Sequence, residues 1–360
     1  MKSKIESLGV YFPEKVLSTE ELISRCRKRP RWDLEKLTGV RERRVVAKDE
    51  FALDLAVNAA GKALAMSKYD ASEIGLIISC SISRLCDREK VFTFEPSMAS
   101  QIKKRIGATG ALTFDVVNAC AGMFTGIYIM DSMIRAGVVK AGIVVSGESI
   151  THLADQATKE IRSSFDGQLA SLTVGDSGAA VIMDGSRGGS VGFHNIDMIT
   201  VPEHSRLCMA HPSKKGSGAV MITKPVRLQK AAMRIKDPFF KKSIDRAGWT
   251  VDRIDVIIPH QTSSRAIRKG GKTLMQYLGT DRQMEGVSIV DKYGNPSTTS
   301  HFVALHETLK DGRVFTGSNI MFMIQASGLI MGQCSYTMDD LPERYRSLNG
   351  KGGESICAAG

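Results

Sequence analysis

The chain has 360 residues, 42% of them hydrophobic and 24% charged, and carries a formal net charge of +11 at pH 7. This composition is ordinary for a soluble globular protein with two domains or two halves of one, and no apolar run approaches the roughly 20 residues of a membrane-spanning helix. The N-terminus lacks the apolar core of a signal peptide, and seven cysteines without a Cys-x-x-Cys pair argue against a disulfide framework or a zinc site, so we expect a cytoplasmic protein with reduced thiols.

Short β-branched strands alternate with amphipathic helices in the first half of the chain, a pattern typical of an α/β fold with a parallel or mixed sheet. Buried strands are predicted over residues 74–81 and 141–147, and an edge strand or hairpin partner over residues 179–184. The helices of this half are predicted over residues 51–66, 96–106 and 123–136.

Cys120 follows the apolar strand predicted at residues 114–117 and directly precedes the helix predicted from residue 123. The unpaired N–H groups and the dipole at a helix N-terminus favour a thiolate. The sequence therefore predicts a reactive thiol at Cys120, where the alternative is a buried and inert cysteine.

The second half of the chain also alternates strands and helices, and two of its predicted strands end in polar residues. Strands are predicted over residues 254–259, 287–291 and 319–325, and helices over residues 264–278 and 297–310. His260 and Asn295 each close an apolar strand, although singly they would be a packed histidine and a turn asparagine. A thiol, an imidazole and an amide at three strand ends are suited to covalent acyl-transfer chemistry.

The order of elements suggests an internal duplication, because the strand that ends near Cys80 corresponds to the strand that ends at His260. The glycine-rich segment 184–192 is the most linker-like stretch. We predict an N-terminal half at 1–188, a C-terminal half at 189–345 and a disordered tail at 346–360.

Five short motifs carry a family resemblance. They are residues 38–43 (Thr-Gly-Val-Arg-Glu-Arg), 118–122 (Asn-Ala-Cys-Ala-Gly), 175–180 (Gly-Asp-Ser-Gly-Ala-Ala), 259–261 (Pro-His-Gln) and 293–297 (Tyr-Gly-Asn-Pro-Ser). In this order and spacing they resemble the thiolase superfamily, and more narrowly the β-ketoacyl-ACP synthase III group, over nearly the whole chain. The resemblance implies an α/β fold of five layers, αβαβα, built from two pseudo-duplicated halves, and a homodimer.

The resemblance also implies a catalytic triad of Cys120, His260 and Asn295. Cys120 would attack an acyl thioester and hold the acyl group, while His260 and Asn295 would donate hydrogen bonds to the enolate of a second substrate. The backbone N–H of Cys120 and one near Ser327 and Gly328 would form the oxyanion hole. The group usually carries a triple glycine where this chain has residues 325–329 (Gln-Ala-Ser-Gly-Leu), so the acyl pocket or the oxyanion geometry is expected to differ.

Glu95 is the sharper departure from the group, which commonly has a hydrophobic residue at this position. A glutamate there is similar to the head-to-head condensing enzymes of olefin, α-pyrone and dialkylresorcinol pathways. Joining two ordinary acyl thioesters requires a base for the α-proton, and burial in an apolar tunnel makes a carboxylate a stronger base. We predict that Glu95 is this base, supplied across the dimer; the alternative is a surface glutamate at a helix start. The segments closest to that subgroup are residues 83–84, 95–97, 118–120 and 147–148.

Basic residues after His260 predict where the acyl donor arrives. Arg265 and Lys272, with Lys230 nearer the middle of the chain, resemble positions at which synthase III enzymes dock acyl carrier protein, although a solvated amphipathic helix gives the same pattern. Trp32 resembles the tryptophan that stacks on coenzyme A in this group. The positive charge is compatible with either acidic partner.

Nucleic acid, membrane and metal are not expected as partners. There are two tryptophans and seven tyrosines, without a stripe of aromatic and basic residues, and no His-x-x-x-His pair. We expect no cofactor beyond acyl-CoA or acyl-ACP as substrates.

These features predict a cytoplasmic, homodimeric acyltransferase that forms a carbon–carbon bond by Claisen condensation of two acyl or β-ketoacyl thioesters. One alternative is decarboxylative condensation with malonyl-ACP, as in fatty acid or polyketide initiation, which would leave Glu95 structural. Another is acyl transfer to an oxygen or nitrogen nucleophile. A non-catalytic partner subunit should lack the thiol, so Cys120 argues against it.

Overall fold

A computed structural model describes residues 2–84, 86, 92–186, 188–215, 218–282 and 284–349 of the chain. Within these residues the strands are β1 (Lys2–Tyr11), β2 (Val16–Ser18), β3 (Glu42–Arg44), β4 (Leu76–Ser79), β5 (Leu112–Asp115), β6 (Ala141–Glu148), β7 (Ser177–Ser186), β8 (Gly192–Thr200), β9 (Cys208–Pro212), β10 (Ala219–Thr223), β11 (Val256–Pro259), β12 (Asn319–Ala326) and β13 (Ile330–Thr337). The helices are α1 (Thr19–Ser24), α2 (Leu34–Thr38), α3 (Ala52–Ala65), α4 (Met98–Ile106), α5 (Gly122–Arg135), α6 (His152–Glu160), α7 (Pro225–Arg246), α8 (Ser264–Tyr277), α9 (Val290–Tyr293), α10 (Ser300–Lys310) and α11 (Leu341–Asn349).

Two mixed sheets repeat one pattern of strands. The first has the order β1-β7-β6-β4-β5, in which β4 is parallel to β5 and β6, while β7 is antiparallel to β6 and β1. The second has the order β11-β12-β13-β8, in which β11 and β12 are parallel and the remaining pairs antiparallel. Each half of the chain therefore builds the same kind of sheet, and each sheet contains a parallel pair that presents its carboxyl ends at one edge.

The side chains of the strands alternate between layers, as the pleat of a strand requires. In β6, Ile143 and Val145 pack with the outer helices α3 and α4, whereas Val144 packs with α5 in the centre of the molecule. In β12, Phe322 faces the centre and Met321 faces the outer helices α7 and α8. The helices α5 and α10 thus lie between the two sheets, which gives the five layers αβαβα.

Glycines let the outer helix α3 lie directly on the first sheet. A Cβ atom on Gly147 would come within 2.0 Å of the Ala52 carbonyl oxygen, and one on Gly9 within 2.2 Å of the Ala59 carbonyl oxygen. A residue with a side chain at either position would push the helix away from the sheet. Small residues on both sides therefore set the distance between these two layers.

Most predicted elements are present, but the predicted strand at residues 287–291 is wrong. Val287 donates one backbone hydrogen bond to the Ile257 carbonyl at 2.8 Å, and the chain then turns into α9. The Gln261 side chain occupies the place of further ladder bonds, since its amide group donates to the Val287 carbonyl at 2.9 Å and accepts from Ile289 N–H at 2.9 Å. A side-chain amide thus ends the sheet where the pattern predicted another strand.

Two further expectations need correction. The segment predicted as an edge strand or hairpin partner is β7, which lies inside the first sheet between β1 and β6. The predicted disordered tail starts too early, because α11 continues through residue 349; residues 350–360 lie outside the described part of the chain. Among the described residues, no helix is both long and apolar enough to span a membrane.

Candidate active site

Cys120 lies in the loop between β5 and α5, directly before the first turn of the helix. It is half-buried, and the preceding Ala119 has a positive φ of 44°. A non-glycine residue in this region is strained, which is typical of residues that hold a reactive group in place. The N-terminus of α5, which follows Cys120 at once, has no side-chain cap on its first N–H groups.

The second half brings a tight turn, residues 294–300, against Cys120; we call this segment the catalytic turn. The Ser297 hydroxyl oxygen is 3.7 Å from the Cys120 sulfur, and Ser297 N–H donates to Asn295 Oδ1 at 3.0 Å. Asn295 is itself held by its backbone N–H, which donates to the Thr173 carbonyl at 2.8 Å. No described group accepts a hydrogen bond from Asn295 Nδ2, which therefore remains available to a substrate.

His260 follows β11 and joins the same site through Ser300. Its Nδ1 is 2.8 Å from the Ser300 hydroxyl, and its backbone N–H donates to the Met323 carbonyl at 3.0 Å. Burial, aided by the neighbouring His301, lowers the pKa of His260 to about 3, so the ring is neutral. When Ser300 donates to Nδ1, the ring proton is on Nε2, and no described group accepts it.

Burial opposes the thiolate that the helix position predicted. It raises the pKa of Cys120 to about 12, and nearby Cys208 and Glu148 raise it further, whereas the hydrogen bond with Ser297 lowers it. The sequence predicted that Cys120 lies at a helix N-terminus, which favours a thiolate, but it did not predict the apolar surroundings of the thiol. At rest Cys120 is therefore a thiol, and it would have to lose its proton to act as a nucleophile.

Glu148 connects the site to the segment that leads towards Glu95. This buried carboxylate accepts hydrogen bonds from the backbone N–H groups of Ile82 at 2.9 Å and Ser83 at 3.2 Å. It also accepts from the hydroxyls of Ser83 at 2.8 Å, Ser146 at 3.1 Å and Thr298 at 2.6 Å. Burial raises the pKa of Glu148, while the hydrogen bonds from Ile82, Thr298 and Ser83 lower it. One side chain thereby fixes both the catalytic turn and the chain after β4.

The proposed oxyanion residues lie at the tip of the β12–β13 hairpin. Ser327 and Gly328 are half-buried, and Gly328 has φ 138°, a conformation that suits glycine. The turn is fixed by paired backbone bonds between Leu329 and Val201 of 3.1 and 2.8 Å. No described carbonyl accepts a hydrogen bond from the N–H of Ser327 or Gly328, so both are available donors. Neither residue is in direct hydrogen-bond contact with Cys120.

Glu95 does not reach the other predicted site residues within one chain. It is exposed in the bend before α4, beside Phe92 and Phe94, whose side chains are 45% and 76% exposed. The start of α4 is fixed by Asp115, which accepts hydrogen bonds from the N–H groups of residues 98 and 99 at 3.0 and 2.9 Å. Since Asp115 ends the strand that leads to Cys120, the Glu95 segment is anchored to the loop that carries Cys120.

The predicted donor-binding residues lie on the surface, apart from the catalytic turn. Trp32 is 44% exposed, donates its indole N–H to the Ser164 carbonyl at 2.5 Å and contacts Phe165 edge-on at 5.5 Å between ring centroids. Lys230, on α7, is exposed. The exposed basic residues of α8 fall three, four and seven positions after Arg265 and so share one face; they are Arg265, Arg268, Lys269 and Lys272.

Sequence reasoning missed the roles of Ser297, Ser300 and Glu148. Ser297 belonged to a recognised motif, but only the structure shows that its hydroxyl meets the sulfur of Cys120. Glu148 contacts Thr298 across the two halves of the chain, and Ser300 contacts His260, which lies 40 residues earlier; sequence distance conceals such contacts. In the part of the chain that the structure describes, no group of three or more His, Cys, Asp or Glu side chains is arranged to hold a metal ion.

Three histidines with a lowered pKa, two of them buried and one half-buried, predict that acid weakens the fold. Burial lowers the pKa of His260 to about 3 and of His301 and His306 to about 4, below the roughly 6.5 of an exposed histidine. As the pH falls below about 6.5, the unfolded chain binds protons that the folded chain does not, so the free energy of unfolding decreases by up to about 1.4 kcal/mol per histidine and pH unit. Above that pH, the contribution of the histidines is constant. Asp176, whose pKa burial raises to about 6, partly opposes the decrease.

Urea unfolding between about pH 7.5 and about pH 5 measures this effect. The variant His306→Gln isolates one histidine, because His260 and His301 contact Ser300 of the catalytic turn, whereas His306 contacts Tyr345 and Glu307. We expect its unfolding free energy to fall less steeply with acid than that of the wild type. Equal slopes for the two proteins would contradict the assignment.

Two family models match this chain. The model of 3-oxoacyl-[acyl-carrier-protein] synthase III matches residues 114–202, and the model of the C-terminal part of the same enzyme matches residues 244–338. The first match includes Cys120, and the second includes His260 and Asn295. Together the two matches cover just over half of the chain.

Individual sequences and solved structures also resemble this chain. The β-ketoacyl-[acyl-carrier-protein] synthase III of Xanthomonas campestris is 29% identical over 345 residues, covering 92% of this chain and 96% of the relative. The solved structure of the Aquifex aeolicus synthase III has a TM-score of 0.78 at 26% identity and covers 93% of this chain and 100% of that one. OleA of X. campestris with bound lauric acid and lauroyl-CoA has a TM-score of 0.79 at 24% identity, covering 94% and 99%, and is similar in fold.

Proposed function

Since the chain belongs to the 3-oxoacyl-[acyl-carrier-protein] synthase III family of the thiolase superfamily, whose members are acyltransferase-type ketosynthases, we propose that it joins two acyl thioesters by a Claisen condensation. Cys120 is the nucleophile, His260 and Asn295 stabilise the enolate, and Glu95 of the partner subunit is the base. The active form is a homodimer in the cytoplasm, and it uses acyl-CoA or acyl-ACP without a further cofactor.

In the first step the Cys120 sulfur attacks the carbonyl carbon of an acyl thioester. A new sulfur–carbon bond forms, the bond to the coenzyme A or carrier sulfur breaks, and the leaving thiolate takes the proton that Cys120 loses. The negative oxygen of the intermediate accepts hydrogen bonds from backbone N–H groups, for which we propose Cys120 and the Ser327–Gly328 turn.

In the second step a carboxylate removes the α-proton of another acyl thioester. The enolate oxygen accepts hydrogen bonds from His260 Nε2 and Asn295 Nδ2, the two donors that lack a partner among the described residues. A neutral imidazole suits this role, because it donates a hydrogen bond without giving up a proton. The α-carbon attacks the acyl carbonyl, and the expelled Cys120 thiolate regains its proton from the base.

The position of Glu95 is the observation that supports condensation of two acyl thioesters over decarboxylative condensation. It is exposed in one chain, next to two exposed phenylalanines, and α4 anchors it to the loop of Cys120. Exposed aromatic side chains of this kind mark interfaces, so a second copy would cover them and bury the carboxylate. The solved OleA structures include variants of a glutamate and of a cysteine separated by nearly the same number of residues as Glu95 and Cys120.

Decarboxylative condensation is the second candidate, and the names of the relatives favour it. Proteins 27–29% identical over most of this chain are β-ketoacyl-[acyl-carrier-protein] synthases III. Loss of CO₂ from a malonyl thioester generates the carbanion without a base, and Glu95 would then have no chemical role.

Product analysis distinguishes the two reactions. Purified enzyme is incubated with one saturated acyl-CoA alone and, in parallel, with acyl-CoA and malonyl-ACP. A β-ketoacyl product that contains two copies of the chain, formed from acyl-CoA alone, supports the proposal. A product that forms only with the malonyl donor, with release of CO₂, contradicts it.

The basic face of α8 predicts a preference for carrier-bound donors. Carrier proteins are acidic, so reversing the charge of Arg265 and Lys272 to glutamate should weaken their docking. We expect KM to increase about tenfold for acyl-ACP at low salt and much less for acyl-CoA, and the difference should shrink at high salt. Steady-state kinetics with both donors measures it.

The matched control reverses two exposed lysines elsewhere, Lys241 and Lys242 on α7, which changes the net charge equally. We expect this control to behave as the wild type with both donors. An equal increase in KM for acyl-ACP and acyl-CoA in the Arg265 and Lys272 variant would rule out a carrier dock on α8.

A further inference from the structure

The Ser297 hydroxyl is the side-chain group that meets the nucleophile. Its oxygen lies 3.7 Å from the Cys120 sulfur, within hydrogen-bond range for sulfur, and Ser297 is 2% exposed. Among the described residues, no other side chain forms a hydrogen bond with this sulfur, and the hydroxyl has no other partner. The catalytic turn therefore places the Ser297 hydroxyl against the Cys120 sulfur.

The backbone of Ser297 is in a strained conformation. Its φ is 54°, where glycine would be free of strain and a serine is not. The turn is held in place on both sides: the Thr298 hydroxyl contacts Ser146 at 2.6 Å, and the Thr299 hydroxyl contacts Ser177 at 2.6 Å. Strain maintained by its surroundings at a site next to a reactive group indicates that the side chain has a role.

The surroundings of Cys120 do not favour a thiolate, so a hydrogen-bond donor is needed to stabilise it. Burial raises the pKa of Cys120, and the groups that face it do not supply a positive charge: Glu148 on β6 is a carboxylate, Cys208 on β9 is a thiol, and the His260 ring is neutral. A hydroxyl that donates to a charged acceptor forms a strong hydrogen bond at little cost in desolvation. Among the described residues, the Ser297 hydroxyl has no acceptor other than the Cys120 sulfur, so it is available to donate to the sulfur anion.

We propose that Ser297 is a catalytic residue that donates a hydrogen bond to the Cys120 thiolate. It acts when the thiol loses its proton to attack the acyl thioester, and again when the thiolate is expelled as the new carbon–carbon bond forms. The proposal rests on Cys120 as the nucleophile but not on the choice between the two condensation reactions.

Alkylation of Cys120 by iodoacetamide tests this role, because it reports the thiolate without a substrate. We expect Ser297→Ala to slow alkylation about tenfold or more at each pH between about 7 and 9, which is the loss of one hydrogen bond to a charged group. Single-turnover acylation by acyl-CoA should slow by a similar factor. The smaller side chain can only improve access of the reagent, so a slower rate reports the thiolate. Peptide mass spectrometry identifies the alkylated cysteine.

Two variants complete the test. Ser297→Gly removes the strain as well as the hydroxyl, so it should unfold at the same or a higher temperature than the wild type and still react as slowly as Ser297→Ala. Ser177→Ala removes a hydroxyl that contacts the same turn but not the sulfur, and should alkylate at the wild-type rate. An alkylation rate in Ser297→Gly equal to or above that of the wild type would overturn the proposal. Failure of the two-chain condensation in product analysis would leave the alkylation result unaffected.

Discussion

Replacing Cys120 by alanine is expected to abolish the acyl-enzyme. Without the Cys120 sulfur, neither the loop between β5 and α5 nor the catalytic turn offers a thiol that can form a thioester, so acyl transfer should fall by more than about 10⁴-fold. The measurement is intact-protein mass spectrometry after incubation with acyl-CoA, in which the wild type gains the mass of one acyl group per chain. The fold should persist, because alanine fits the space of the half-buried cysteine.

A matched control is Cys26→Ala, which removes a buried cysteine from a separate apolar cluster with Leu22 and Leu34. This variant should be acylated as the wild type is. An acyl adduct on any other residue of Cys120→Ala, for instance on neighbouring Cys208, would refute the assignment of the nucleophile.

Replacing Glu95 by glutamine should separate the two steps of the reaction. Acylation of Cys120 does not need the carboxylate and should remain at the wild-type rate. Condensation of two acyl-CoA molecules needs a base for the α-proton and should fall by about 10²- to 10⁴-fold. Mass spectrometry follows the first step and product chromatography the second.

A malonyl thioester provides the decisive control for Glu95→Gln. Its decarboxylation generates the carbanion directly, so we expect the variant to condense malonyl-CoA with the acyl-enzyme more readily than a second acyl-CoA. The matched control is Glu20→Gln, at an exposed glutamate on α1, which should not change either step. Wild-type product formation by Glu95→Gln from acyl-CoA alone would end the assignment of Glu95 as the base.

The sequence was sufficient to predict the helices and strands with a clear apolar periodicity and the site residues within recognisable motifs. The helices α3, α5 and α8 begin and end close to the predicted residues, because each has one buried face. Cys120 and Asn295 meet the same residue, Ser297, as a site assembled from both halves requires.

Features that depend on contacts across the fold could not be predicted in this way. The segment at 287–291 has the composition of a strand, but the Gln261 side chain replaces its ladder bonds. The thiol of Cys120 has a favourable position at a helix N-terminus, but the surrounding core raises its pKa. Glu148 belongs to a segment that the resemblance marks, but it accepts five hydrogen bonds only when both halves have folded around it, and the sequence does not show these contacts.

Turnover by a mixed dimer tests the central claim most directly, since the claim is that each site combines Cys120 of one chain with Glu95 of the partner subunit. Glu95→Gln and Cys120→Ala chains are coexpressed with different tags, and the mixed dimer is purified and given one acyl-CoA. Each parent homodimer should be inactive in condensation. The mixed dimer contains one complete site, Cys120 from the Glu95→Gln chain and Glu95 from the other, so we expect it to regain half of the wild-type turnover. A mixed dimer as inactive as its parents would contradict catalysis across the interface.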